Sequence, residues 1–266
     1  DGKTLRRSHD RKHGWGPMHI VSAWASDFGI TLGQVATEEK SNEITAIPQL
    51  LERIDVEDAI VTIDAAGCQK TIAAKIVQGK GDYVLALKGN QEKLFHDVEF
   101  LLLGPIQDDG AGGPVSRYVE VEQGHGRLES RTYYQMTAPS YLHGRSEWKG
   151  LKTVGAAVRV YEENGIEKRD VRYYLSSLRR NGQQFAKVVR RHWGIENSLH
   201  WSLDMTYRED ESRVRNRTFA ENLSWLRRMT LGLIKQHPGK QSNIMKRRMA
   251  GWSLDFLMQI LTGKGT

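Results

Sequence analysis

Residues 18–24 (MHIVSAW) and 30–37 (ITLGQVAT) are apolar-rich runs separated by a short stretch that carries Ser26, Asp27 and Gly29. Such a pair reads as two strands joined by a hairpin connection. Behind Ser41, Ile44, Ile47, Leu50, Leu51 and Ile54 recur at helical spacing, which predicts a crossover helix over 43–54. Residues 59–64 (AIVTID) form a continuous apolar run ending in an acid, the pattern of a strand buried on both faces. A helix over 69–78 and a strand over 83–87 complete a βαβ unit, so the expected sheet is mixed.

From about 110 to 178 the chain becomes strand-rich and punctuated by glycine. Strands are expected at 117–122, 129–136, 153–161 and 169–176, the last two joined across the Asn164-Gly165 turn signal. This segment reads as an insertion in an α/β core. Helical spacing returns at Phe185, Val188, Val189, His192, Leu199 and Leu203, and again over 219–234. A last helix is expected over 242–261, closed by Thr262 and Gly263.

Composition narrows the class. With 266 residues, 39% of them hydrophobic and seven tryptophans, the chain can bury a core, which excludes a disordered or Pro-rich protein. No run approaches the ~18 consecutive apolar residues of a membrane span, and the N-terminal residues lack a signal-peptide core, so a soluble protein is expected. Cys68 is the single cysteine, which excludes an internal disulfide and a thiolate metal cluster and fits a reducing cytoplasm, so a cytoplasmic protein is expected.

The formal net charge of +7 is unevenly placed: residues 213–248 hold ten basic side chains against Glu221 alone, a local charge of +9. Lys3, Arg6, Arg7, Arg11 and Lys12 form a second basic cluster. Two such clusters without an amphipathic anchor point to nucleic acid ahead of membrane, with ordinary solvated surface charge as the alternative.

Three carboxylates stand out by position: Asp1, Asp64 at the end of the most apolar strand, and Glu196 within RRHWGIENSLHW. Glu196 shares a helical stripe with His192, Leu199 and His200, so it needs a partner. A divalent cation would supply one, because acids acting as hard oxygen ligands hold Mg²⁺ and leave room for phosphate and water. The alternatives are a helix cap for Asp64 and an ion pair with Arg190 or Arg191 for Glu196. His192, Glu196 and His200, at successive fourth positions, also permit an imidazole-type metal triad, although the HExxH order is missing and packing is the simpler role. The residues alone thus give a basic α/β protein with a candidate metal-nuclease site.

The stretches DGKTLRRS, EKSNEITAIPQLL, IVTIDAAGCQKTIA, YVLALKGNQ, EWKGLK, RYYLSSL and RRHWGIENSLHWSLDM, followed by RED and RVRN, run in order through nearly the whole chain. In them the chain resembles the transposases of bacterial insertion sequences, and within these the H-repeat-associated group. The resemblance implies an α/β ribonuclease-H-like mixed sheet with a β-rich insertion and a helical C-terminus. It divides the chain into the first part of the catalytic core (1–110), the insertion (111–178), the rest of the core (179–235) and a basic C-terminal segment (236–266). It also implies a DDE triad on Asp1, Asp64 and Glu196, both catalytic and metal-binding, with Asp64 bridging two Mg²⁺ ions (or Mn²⁺) and the other acids completing one site each. The implied activity is DNA strand cleavage and strand transfer during transposition, with double-stranded DNA at element ends and target as partner. A homodimer assembled on that DNA, near the nucleoid and away from membranes, completes the expectation.

Lys3, Arg6, Arg191, Arg213 and Arg215 are the candidates for phosphate contact, with His125 and Arg127 of GHGR behind them. The chain departs from its relatives in two places. Many carry a Tyr-Arg-Glu-Lys pattern around the third acid; here His192 and Leu203 fill its Arg and Lys positions, and Arg191 stands one step earlier. Family members also carry an N-terminal domain ahead of the first acid, which implies a fragment or a truncated reading frame. A catalytically silent, DNA-binding relic and a metal-dependent nuclease that never joins strands are the competing expectations.

Overall fold

The computed structural model describes residues 1–37, 43–111, 113–124 and 127–263. Ser41 and His125 lie outside them. The chain forms two compact units, Asp1–Ile54 with Trp193–Thr266, and Asp55–His192.

In the first unit, β1 (Gly2–Thr4), β2 (His19–Ala25) and β3 (Ile30–Thr37) form an antiparallel sheet in that order. The expected hairpin is present, and Gly29, at φ 66°, supplies the left-handed residue that closes it. The helix α1 (Glu43–Arg53) buries Ala46, Ile47 and Leu50, while Ile44 faces outward. After α5 (Trp201–Tyr207), the long helix α6 (Arg217–Gln236) crosses β3. Gly232 permits this close approach, since a Cβ there would stand 3.3 Å from the Ile30 side chain. Ile195, Leu199, Leu203 and Leu231 make one buried cluster, with Trp24 and Tyr207 packed against it.

The expected C-terminal helix is broken in two, α7 (Asn243–Trp252) and α8 (Leu254–Thr262). Ser253 is extended and its hydroxyl accepts from the Phe256 amide, so a side-chain cap starts a new helix where apolar spacing predicts continuation. Gly263 ends α8 in the left-handed conformation, as expected.

In the second unit, β4 (Ile60–Ile63), α2 (Lys70–Gln78) and β5 (Asp82–Leu87) form the expected βαβ, with β4 and β5 parallel. The expectation that this first strand is buried on both faces fails: β4 ends the sheet, Ile60 is exposed, and only Ile63 of the strand is buried. The helix α3 (Glu92–Gln107) is an element absent from the sequence expectation, although Leu94, Val98, Leu102 and Ile106 recur at every fourth position.

The strands β6 (Val115–Gly124), β7 (Arg127–Thr137), β8 (Thr153–Glu163) and β9 (Ile166–Ser176) continue the sheet begun by β4 and β5. Its order is β4-β5-β9-β8-β7-β6, so the strand-rich segment enters through the β5–β9 pair. Asn164 and Gly165, both at positive φ, make the hairpin between β8 and β9. The helix α4 (Gly182–His192) lays Phe185 edge-on against Tyr133 and Tyr174. Gly155 makes room, because a Cβ there would come within 2.6 Å of the Phe185 ring. Emptying that fully buried ring position would cost about 3–5 kcal/mol.

The architecture is therefore mixed α/β, consistent with a ribonuclease-H-like core and a helical C-terminus.

Candidate metal centre

Asp1 extends the β1–β2 ladder by one residue: its α-ammonium nitrogen donates to the Ser22 carbonyl at 3.1 Å, and the Ser22 amide donates to the Asp1 carbonyl at 2.9 Å. Alternation along β1 puts Asp1 and Lys3 on one face and Gly2 on the other. Gly2 lies over a buried pair, His19 Nε2 to Glu43 Oε1 at 2.6 Å, and a Cβ on it would meet His19 at 2.1 Å. The Asp-Gly-Lys order is thus dictated by a carboxylate and an ammonium on one side and no room at all on the other.

Glu196 lies in an irregular stretch. After α4 the chain does not continue as one regular helix; residues Ile195–His200 form a π-helical turn leading into α5, and the Trp201 amide donates to the Glu196 carbonyl five residues back. Such turns re-aim side chains and are frequent at functional sites. Here Glu196 and His200 face the same way: His200 Nδ1 lies 3.3 Å from Glu196 Oε2 and 3.9 Å from Asp1 Oδ2. One donor atom from each of Asp1, Glu196 and His200 lies within 4.8 Å of the others.

The environments differ. The Glu196 side chain is 56% exposed, whereas that of His200 is only 8% exposed. Burial, reinforced by the positive charge of Arg228, pushes His200 down to about 3. At neutral pH the ring is therefore uncharged, so its contact with Glu196 is not an ion pair, and it is a hydrogen bond only in the tautomer that carries the proton on Nδ1. Its other nitrogen, Nε2, is buried and has no hydrogen-bond partner among the described residues. Two carboxylates and a neutral imidazole make a donor set that fits a divalent cation.

The same helix stripe continues to Asp204, which receives Lys3 Nζ at 2.8 Å; Lys3 also reaches Asp210 at 3.0 Å, and Arg6 reaches Asp210 at 3.1 Å. The Lys3 side chain is only 9% exposed, so this expected phosphate contact is engaged inside the unit. Glu209 is fully buried beside the equally buried Arg228, 3.1 Å away, with the Ser224 hydroxyl donating to it.

Asp64 belongs to the second unit. It sits at the end of β4, where its Oδ1 accepts from the Gly67 amide at 3.4 Å and caps a short helical turn, Ala65–Gly67. His192, at the end of α4, contacts the Thr62 hydroxyl at 3.1 Å. It belongs to the second unit, whereas the Asp1–Glu196–His200 group lies in the first. Arg190 pairs with Glu122 at 2.5 Å.

Among the basic candidates, Arg6, Arg191, Arg213 and Arg215 are exposed. Arg127 opens β7. The +9 segment is less of a surface than its sequence implies. Arg228 and Lys246 are buried, Lys246 donating to the His237 carbonyl, while Lys235 donates to the Ser198 carbonyl and Arg217 to that of Gly16. Among the described residues, no helix is long and apolar enough to cross a membrane.

Comparison with known proteins adds an independent line. The family model for the Transposase DDE domain matches residues 1–233. The chain is 41% identical to YncI of Escherichia coli O157:H7 over 93% of its own length and 64% of that protein. It is 37% identical to YbfL and to the H repeat-associated YhhI, both of Escherichia coli strain K12, in each case over its whole length and 71% of theirs. The chain thus spans about two thirds of the length of these relatives, of which YncI and YhhI carry provisional transposase names.

Proposed function

Because the chain belongs to the Transposase DDE domain family, we propose that it carries the catalytic part of an enzyme that cleaves DNA at the ends of a mobile element and joins the freed end to target DNA. The observation that carries this reading is the convergence of Asp1, Glu196 and His200 donor atoms within 4.8 Å. Asp64, from the second unit, is assigned as the third carboxylate; Asp1, Asp64 and Glu196 would together hold the divalent ions, Mg²⁺ or Mn²⁺. When bound, such a pair activates the attacking oxygen and stabilises the leaving one.

In the first step a water oxygen attacks an end phosphodiester; the bond from phosphorus to the 3′ oxygen breaks and leaves a 3′ hydroxyl on the element. In the second step that hydroxyl attacks a target phosphodiester, forming a new bond as the target's own 3′ oxygen departs. The chain's basic groups position the backbone: exposed Arg6, Arg191, Arg213 and Arg215 are assigned to phosphates. Lys3 holds the Asp1 strand against the Glu196 helix through Asp204. In this reading residues 1–110 and 179–235 make up the catalytic core, 111–178 the insertion and 236–266 a basic C-terminal segment. The enzyme acts beside the chromosome as a homodimer on DNA.

The test uses the protein encoded by the complete reading frame, labelled element-end DNA and a target plasmid. Metal-dependent cutting followed by joining to the plasmid is the expected result. Cutting without joining would make it a nuclease, and binding with neither a silent relic.

A further inference from the structure

We propose that His200 donates its Nδ1 directly to the divalent ion, making this centre a two-carboxylate, one-imidazole site that takes Mn²⁺ in preference to Mg²⁺. The proposal deepens the metal reading of the same site and rests on it.

Geometry comes first. Two ligand atoms about 2.1 Å from one ion lie roughly 3 Å apart when they subtend a right angle. His200 Nδ1 already stands 3.3 Å from Glu196 Oε2 and 3.9 Å from Asp1 Oδ2, so a small closing movement would bring all three atoms onto one ion. Glu196, more than half exposed, is free to make that movement, while Asp1 is fixed in the β1–β2 ladder. The ring itself is held by burial against the cluster that Leu199 and Leu203 build with α6.

The chemistry of the ring points the same way. Three lone-pair donors converging this closely repel one another unless a proton or a cation lies between them. If the His200 proton sits on Nδ1, it bonds Glu196 but leaves Nε2 as a buried acceptor without a donor among the described residues. If it sits on Nε2, the Nδ1 lone pair faces two carboxylates. No partner on Nε2 among the described residues fixes the tautomer, so the occupant of the space between Nδ1 and the carboxylates sets it. A divalent cation accepts all three lone pairs at once.

An imidazole nitrogen changes which ion is preferred. All-oxygen sets suit Mg²⁺, which keeps most of its waters, whereas a nitrogen donor raises affinity for transition ions more than for Mg²⁺. The Mn²⁺ preference is expected to be at least ~tenfold. The π-helical turn builds the set, since it brings Glu196 and His200 to the same face beside the β1 strand.

The test is Mn²⁺ binding by the chain, followed by calorimetry and by pulsed electron paramagnetic resonance, with ¹⁵N-histidine labelling as the internal control. The expected result is saturable Mn²⁺ binding, tighter than Mg²⁺, with a nitrogen coupling that changes on ¹⁵N labelling. His200→Gln, checked for folding by circular dichroism, should lose the coupling and about tenfold in Mn²⁺ affinity while changing Mg²⁺ affinity much less. Because labelling marks all nine histidines, His200→Asn is the second variant that assigns the coupling if His200→Gln misfolds. Mn²⁺ that binds in a Glu196-dependent way without nitrogen coupling would overturn the role of His200 alone. Absence of any Mn²⁺ binding sensitive to Glu196→Gln would overturn the metal centre itself.

Discussion

Lys3 Nζ lies 2.8 Å from Asp204 Oδ2, and this ion pair ties the strand that begins with Asp1 to the helix that follows Glu196. Two stripes interlock there: Asp1 and Lys3 on the strand, Glu196, His200 and Asp204 on successive turns of the helix. The same lysine also reaches Asp210, so one ammonium neutralises two carboxylates that would otherwise repel.

Lys3→Met should therefore act on the fold of this unit before it acts on DNA. With a nearly buried ammonium removed from two acids, a stability loss on the order of 1–3 kcal/mol is expected. Lys3→Arg should recover part of it. Thermal melting checks this. An unchanged melting temperature, with the salt slope of DNA binding reduced by about one unit, would return Lys3 to phosphate contact.

Glu209 and Glu196 should respond oppositely to loss of charge. Glu209→Gln leaves Arg228 buried without its counter-ion and should cost about 3–5 kcal/mol. Glu196→Gln, at a half-exposed position, should leave the melting temperature nearly unchanged. Comparable losses in both would make Glu196 a structural partner.

Acid should destabilise the second unit through His192. Burial holds this ring down to about 4, against 6.5 for an ordinary histidine, so the unfolded chain takes up a proton that the folded chain refuses. The contribution is complete above pH 6.5 and falls as the pH drops toward 4, reaching about 2 kcal/mol lost at pH 5. His192→Gln should flatten this part of the stability profile, as followed by denaturant unfolding between pH 7 and 5. An equally steep profile in the variant would assign the loss to other groups.

The basic segment should bind DNA through part of its charge only. Arg213→Ala with Arg215→Ala is expected to flatten the plot of log affinity against log salt by up to about two units, at ~0.9 per phosphate. Lys246→Ala should leave that slope unchanged, because its ammonium is buried against the His237 carbonyl. A slope insensitive to the arginine pair would exclude both from phosphate contact.

Much of this was legible in the residues. Alternation and turn chemistry found β2, β3 and β5 to β9, because Asn164-Gly165 and the Ser-Asp-Gly stretch before β3 encode their turns locally. The motif placed Asp1 and Glu196, which the fold brings together with His200. What escaped depends on non-local contacts. The edge position of β4 follows from strand order, which apolarity does not reveal. The π-helical turn changes register without a distinctive composition, so His200 looked like one packing histidine among several. Neither burial of Arg228 nor the Lys3–Asp204 pair can be read from charge counts, since Glu209 lies 19 residues from Arg228 and Asp204 lies 201 from Lys3, outside any local spacing. The stripe in α3 was readable at 94, 98, 102 and 106, although Gly104 and Pro105 near its end are residues that weaken a helix.

On the proposed function, the Glu196 carboxylate serves metal-dependent strand cleavage and not the fold. Single-turnover cleavage of element-end DNA by Glu196→Gln, with Mg²⁺ or Mn²⁺ and beside a melting curve of the same preparation, tests it most directly. Cleavage is expected to be lost with either ion while the melting temperature and DNA affinity stay close to those of the parent. Cleavage at the parent's rate would contradict it.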